Sequence, residues 1–429
     1  MSAISLGPLS WGLNFWSTKP SGATPLCLRP VEATSVTANP LLVPAASPRL
    51  EAEPSLTPFL KWPGGKSQEM AAIAASAPPL EGRFVDPFVG GGSVLLATPS
   101  SVPAQANDAC RDLVGLYAAA ASRDDAFLQA VTELAQAWEG LAHREALFAE
   151  LADIYLRGIS HGAEFWLSEH RADIALLLEP CGPSLLDSFF ARAARDLPKK
   201  FVRMREVERE VGRKLTQPDL LANVEGAVRA ALYMSVRSRY NAARASNRWD
   251  AYRLTDFLFL REFSYASMFR FNAKDGFNVP YGGVSYNRKS FQAKVDLLYS
   301  QPMRTRLANT TFKCEDFESF LGRVDLQSED FLFVDPPYDS DFSDYDNMPF
   351  AASDQARLRD FLEKAPCRVM VVIKGTPAIR ALYGSDRWRI VGSPKTYKWT
   401  IKSRNDRATT HLMITNYEAA DGRLLRGDR

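Results

Sequence analysis

The most chemically pointed stretch of the chain is Asp335-Pro336-Pro337-Tyr338, which directly follows the apolar run Phe331 to Val334. Two prolines cannot continue a central strand. The chain must leave the sheet here with Asp335 at the strand's carboxyl end, where ligands bind in open α/β sheets. A carboxylate followed by a proline carbonyl, that of Pro336, offers two acceptors to one amino group. Such a pair suits the exocyclic amine of a base, whose lone pair is delocalised into the ring. Accepting both hydrogens concentrates that lone pair on nitrogen and faces it toward an electrophilic methyl. Tyr338 supplies a flat ring for stacking on a base rotated out of its duplex, which a buried target atom requires. The plainer alternative is a proline turn in which Asp335 caps a helix and Tyr338 packs.

Two glycine-rich turns are the other candidates. Asp86-Pro87-Phe88-Val89-Gly90-Gly91-Gly92 places a tight turn where backbone can approach a ligand, and Asp108 follows Asp86 by 22 residues. That spacing suits an acid accepting hydrogen bonds from ribose hydroxyls, although dehydrogenases and other nucleoside binders use the same device. The stretch Phe59-Leu60-Lys61-Trp62-Pro63-Gly64-Gly65-Lys66-Ser67 ends like a phosphate-binding loop. A P-loop needs glycine where this chain has Leu60, so a triphosphate cradle is disfavoured.

Around these motifs the elements read unevenly. The run "RFVDPFVGGGSVLLA" is a buried strand, a glycine turn and a helix, followed by a second acid-bearing turn, "ANDACRDLVGLYAAA". Residues 118–230 are rich in Ala, Leu, Glu and Arg with helical spacing. Strand signals return in "EDFLFVDPPY", "CRVMVVIKG", "RWRIVGS" and "THLMITNYE", so the α/β layer closes only near the C-terminus. Residues 1–56, rich in Pro, Ser, Ala and Thr, read as a flexible extension.

Composition narrows the class further. With 46% apolar and 24% charged residues the 429-residue chain is an ordinary globular protein. A net charge of +2 means that any nucleic-acid partner meets a local basic face rather than the whole molecule. Five scattered cysteines without a Cys-x-x-Cys pair fit a reducing compartment and exclude a zinc ribbon; no metal is called for by the four histidines. No stretch approaches the ~18 uninterrupted apolar residues of a membrane span, so the expected compartment is the cytoplasm.

Taken in order, "FLKWPGGK", "DPFVGGGSV", "NDACRDLVGLY", "FRFNAKDGFNVPYGG", "DPPY" and "SRNDRATTHLMITNYE" resemble the DNA adenine methylase (Dam) family of S-adenosylmethionine-dependent N6-adenine methyltransferases. The resemblance covers residues 58–117 and about 255–417. It implies a Rossmann-like class I methyltransferase sheet in an α/β fold, with an inserted, mostly helical target-recognition domain. Residues 57–117 and 307–429 would then form the catalytic domain and residues 118–306 the insertion. It further implies S-adenosylmethionine as methyl donor, double-stranded DNA as substrate and a restriction or defence system as cognate partner. The cofactor residues would be Trp62, Lys66, Asp86, Phe88, Gly90, Gly92, Asp108, Asp316 and Asp335, with Asp335, Pro336 and Tyr338 catalytic.

Residues 231–313 carry fourteen Lys and Arg against five Asp and Glu, interleaved with aromatics, the composition of a phosphate-tracking and base-stacking surface. Within it "FRFNAKDGFNVPYGGVSYNRKSF" resembles the family's recognition hairpin. Lys61, Arg270, Asn272, Asn278, Tyr281 and Lys289 are the expected DNA contacts. Two departures leave the target sequence open: Ala266-Ser267 stands where many relatives read Asn-Gly, and the segment after Gly283 lacks the Arg-Tyr-Lys-Lys of GATC methylases. A catalytically silent DNA-binding module, a cytosine-N4 or RNA methyltransferase and a nucleotide-hydrolysing enzyme are the competing readings.

Overall fold

The computed structural model describes residues 47–337, 350–396 and 408–418 of the chain. Seven strands, β1 (Phe84–Asp86), β2 (Ala104–Asn107), β3 (Thr310–Lys313), β4 (Phe331–Val334), β5 (Arg368–Lys374), β6 (Arg389–Thr396) and β7 (Ala408–Thr415), form one sheet. Their order is β3-β2-β1-β4-β5-β7-β6. Strands β1 to β5 are parallel, and β7 runs antiparallel between β5 and β6. This mixed α/β architecture fits a methyltransferase.

Both β1 and β4 are buried along their whole length, as the continuous apolar run Phe331 to Val334 requires of a strand covered on two faces. The prolines end β4 at Val334, which leaves Asp335 as the first residue beyond the sheet. Strand order reverses between β1 and β4, where Phe84 pairs with Phe331 and Val85 with Leu332. The carboxyl ends of these two strands therefore open the crevice in which such sheets bind ligands. Strands β2 and β3 were not legible as strands. Each has four residues, and β3 is an edge strand of alternating half-buried and exposed positions with no apolar run to announce it.

Seven helices concern the site: α1 (Met70–Ser76), α2 (Arg111–Ser122), α3 (Pro183–Val211), α4 (Gln217–Ala245), α5 (Ala251–Phe263), α6 (Phe317–Arg323) and α7 (Ala352–Leu362). Helix α3 begins with a proline in its first turn and stops at Gly212, which adopts a left-handed φ of 71°. Leu185, Phe189, Ala193 and Leu197, four residues apart, bury one of its faces. Thr216 caps α4 through Asp219 N. The two 29-residue helices pack together between β2 and β3 in sequence.

The expected flexible extension over residues 1–56 needs correcting at its end. Leu50 and Leu56 are buried, and Leu80 N donates to Pro48 O at 2.8 Å, so residues 48–56 pack onto the sheet unit. The rest of that extension, up to residue 46, lies outside the described residues. Among the described residues no helix is long and apolar enough to cross a membrane.

Candidate active site

A cavity of about 530 Å³ lies at the carboxyl ends of β1 and β4. Asp86, the last residue of β1, and Asp335, the first after β4, both line it, with Pro336 beside them. The Gly-Gly-Lys turn closes over them. Gly64 takes a left-handed φ of 77°, and the turn carries Lys66 inward until its ammonium ion-pairs with the Asp335 carboxylate and donates to Gly64 O at 2.9 Å. Lys66 is only 2% exposed, so its charge faces the cavity rather than water. Burial pushes the Asp335 carboxyl above its usual range, against the pull of Lys66. Asp86 is pushed further. Burial is again the main cause, with the Phe88 amide at 3.0 Å pulling back and the nearby charges of Asp335 and Asp108 adding to the rise.

Asp108 ties the two turns of the crevice together: one carboxylate oxygen accepts from Gly90 N at 3.1 Å and the other from Cys110 N at 2.9 Å. Above the glycine turn lies the Trp62 indole. A Cβ at Gly90 would stand 2.8 Å from the Trp62 ring and would require a φ of 47°, so glycine is dictated twice at this position. Gly92 has a different task. It does not line the cavity; a Cβ there would meet the Tyr117 hydroxyl at 2.6 Å, so this glycine lets the turn sit on α2.

At the other end of the cavity Asp316 caps α6 through Glu318 N at 3.0 Å and pairs with Arg357 at 2.9 Å. Phe88, Phe317 and Phe350 pack against one another here with ring centroids 5.5 and 5.6 Å apart, and all three line the cavity. Phe317 and Phe350 escaped the sequence reading. The only hint of Phe317 was an aromatic directly after Asp316. Tyr338 lies outside the described residues.

The expected DNA residues divide. A short antiparallel bridge, Phe271 to Phe277, forms the hairpin that the resemblance implied, with Arg270 exposed on it and donating to Asn278 at 3.2 Å. Asn272 closes the tip by accepting from Lys274 N and Gly276 N. Lys61 and Lys289 converge on the buried Glu262 carboxylate, at 2.7 and 3.8 Å. Tyr281 does not belong to an exposed face: it is buried between Trp138 and Tyr233 with its hydroxyl on Asn287 at 2.9 Å. Much of the basic count is internal as well. Arg239 is held by Asp256, Arg253 by Asp112, and Arg261 and Arg306 by backbone carbonyls. Composition does not distinguish an arginine that faces phosphate from one that fills a core.

The hairpin is backed by a single stripe of α4. Tyr233 and Arg237 both donate to Val279 O, Asn241 exchanges two bonds with the Phe277 backbone, and Arg244 reaches Asp275. It is also linked to the cavity. Trp62 packs on Phe269 at 5.6 Å, and Arg261 stacks on both rings while donating to Lys61 O.

Comparison with known proteins matches residues 62–176 and 194–397, well over half of the chain, to the family described as D12 class N6 adenine-specific DNA methyltransferase. The chain is 31% identical over 164 residues to the type II methyltransferase M.CviBI of Paramecium bursaria Chlorella virus NC1A, covering 38% of this chain and 60% of that protein. It is 27% identical over 187 residues to a DNA adenine methylase of Vibrio cholerae, covering 41% and 63%. With the type II methyltransferase M1.LlaDCHI of Lactococcus lactis subsp. cremoris it shares 22% over 375 residues, covering 85% and 96%. The chain thus spans about three-fifths of the length of the first two relatives and nearly all of the third.

Proposed function

The chain belongs to the D12 class of N6 adenine-specific DNA methyltransferases, and from this we propose that it transfers a methyl group from S-adenosylmethionine to N6 of an adenine flipped out of double-stranded DNA. The observation that carries this reading is the placing of Asp335 and Pro336 at the end of β4, on the wall of the cavity, with Lys66 against the carboxylate.

The residues present fit the methyl donor. Glycines whose Cβ atoms would collide with Trp62, a cluster of three aromatic rings on the cavity wall and a surplus of acids over cations in the lining suit a nucleoside that bears a positive sulfonium. Bound there, the donor supplies an electrophilic methyl. Phe88, Phe317 and Phe350 would take its adenine, Asp316 the edge of that ring, and Asp108 the ribose hydroxyls. Asp335 and the Pro336 carbonyl accept the two hydrogens of the target amine, hold its lone pair toward the methyl, and Asp335 is the group beside which the released proton first appears. Lys66 keeps that carboxylate ionised against the burial that opposes its charge. Tyr338 stacks on the flipped base. In this reading residues 57–117 and 307–429 are the catalytic domain and residues 118–306 recognise DNA, with a restriction or defence system as the biological partner.

The test is modified-base sequencing of DNA from a host that lacks adenine methylation and expresses the chain. N6-methyladenine at one recurring context is expected. Methyl groups on cytosine N4, or none on DNA while RNA is modified, would overturn the reading.

A further inference from the structure

Two arginines on the α4 stripe that backs the hairpin are treated differently. Arg244 faces Asp112 at 2.9 Å and Asp275 at 2.8 Å. Arg237, two turns earlier, meets a neutral acceptor, the Val279 carbonyl at 3.1 Å. Its charged neighbour is another cation. Arg192 of α3 donates to the hydroxyl of Ser238, the residue next to Arg237. The acid nearest to Arg192 in sequence, Asp196, is held by both arms of Arg195 at 2.8 Å. Eight residues along α3, on the same face, Lys200 bonds only the Asn223 side chain, at 2.9 Å. All three cations are half-buried, and among the described residues none forms an ion pair. Burial works against each of these charges, and Arg192 adds repulsion at Arg237.

Charges withdrawn from water without a counterion are unfavourable. Every other buried arginine discussed here has a carboxylate or several carbonyls. Arg192 and Arg237, on two helices that pack together, have neither, and an anion from outside would match them. Guanidinium forks are suited to phosphate oxygens. We propose that Arg192 and Arg237, with Lys200 about 12 Å further along α3, form a phosphate clamp at the base of the hairpin that grips the backbone of the duplex being methylated. The clamp rests on the DNA-methyltransferase reading. Arg192 falls between the two segments matched to the family, within residues 177–193.

The test is fluorescence anisotropy of a labelled duplex against the full chain over a range of salt concentrations. Arg192→Gln should weaken binding several-fold, to the same extent on any sequence, and should flatten the log Kd against log salt slope by about 0.9, one phosphate's worth. Ser238→Asp, which supplies the missing carboxylate beside Arg192 without removing it, should flatten the slope similarly, and Arg192→Lys should restore it. An unchanged slope in both Arg192→Gln and Ser238→Asp would overturn the clamp while leaving the methyltransferase reading intact. A wild-type chain that binds no duplex and methylates none would overturn the reading, and the clamp with it.

Discussion

The cavity and the helical region between β2 and β3 both bury charge, and they balance it in opposite ways. In the cavity Asp86, Asp108 and Asp335 share the lining with one buried cation, Lys66, and burial lifts the carboxyls of Asp86 and Asp335. Among the helices Arg239 meets Asp256 through two bonds, and Arg244 and Arg253 share Asp112. The first arrangement leaves acids in excess; the ion pairs of the second are complete in themselves. Charge left unbalanced marks a place where something binds, whereas charge balanced internally holds helices together.

That contrast is most sharply tested at Asp335. Asp335→Ala should reduce methyl transfer per folded molecule by about 10²- to 10⁴-fold, the range for a lost acid–base group. The raised carboxyl also sets a pH dependence of stability: the folded protein holds this proton more tightly than the unfolded chain, so the group favours folding in acid and ceases to as pH rises through its folded pKa. Near-normal methylation by the variant would remove Asp335 from the chemistry. Because the ionised form is the acceptor, the acid limb of kcat should lie above an ordinary carboxylate's ~4. Lys66→Met should move it higher still.

Arg239→Met should show the reverse pattern. Stranding Asp256 in the core is expected to cost about 3–5 kcal/mol in denaturant unfolding, with methyl transfer per folded molecule little changed. A loss under 1 kcal/mol would show that the pair is solvated in practice.

Asp108→Ala should weaken cofactor binding by roughly 1.5–3 kcal/mol in calorimetry, through lost charge-assisted bonds. Because its oxygens also hold Gly90 N and Cys110 N, Asp108→Asn should fall between the two. Equal affinity in all three would assign Asp108 to structure alone.

The smallest effect concerns Ala266 and Ser267, which both sit at left-handed φ, 51° and 54°. The resemblance leads one to expect Asn-Gly at these positions, residues that tolerate this conformation. Ala266→Gly should stabilise the chain by about 0.5–1 kcal/mol, measured by the denaturant midpoint at unchanged slope. Destabilisation instead would mean that the Ala266 methyl makes contacts worth more than its backbone strain.

The candidate site was legible because its motifs are local. A proline pair must end a strand, a glycine triplet must turn, and an acid 22 residues on must reach the next strand's end; each follows from backbone sterics within a few residues. Strand existence was legible wherever an apolar run announced it, and was lost at β2, which is mostly buried but built of Ala, Gln and Asn, and at β3, a half-exposed edge strand. Tertiary structure alone decided the rest. It brought Lys66 to Asp335 across 269 residues, inserted β7 between β5 and β6, seated Gly92 on Tyr117, and turned Tyr281, Arg239, Arg253, Arg261 and Arg306 inward. These outcomes depend on which surfaces meet. A side chain's type states what it can bond, but its partner is set by packing between segments far apart in the chain, and no local pattern encodes that distance.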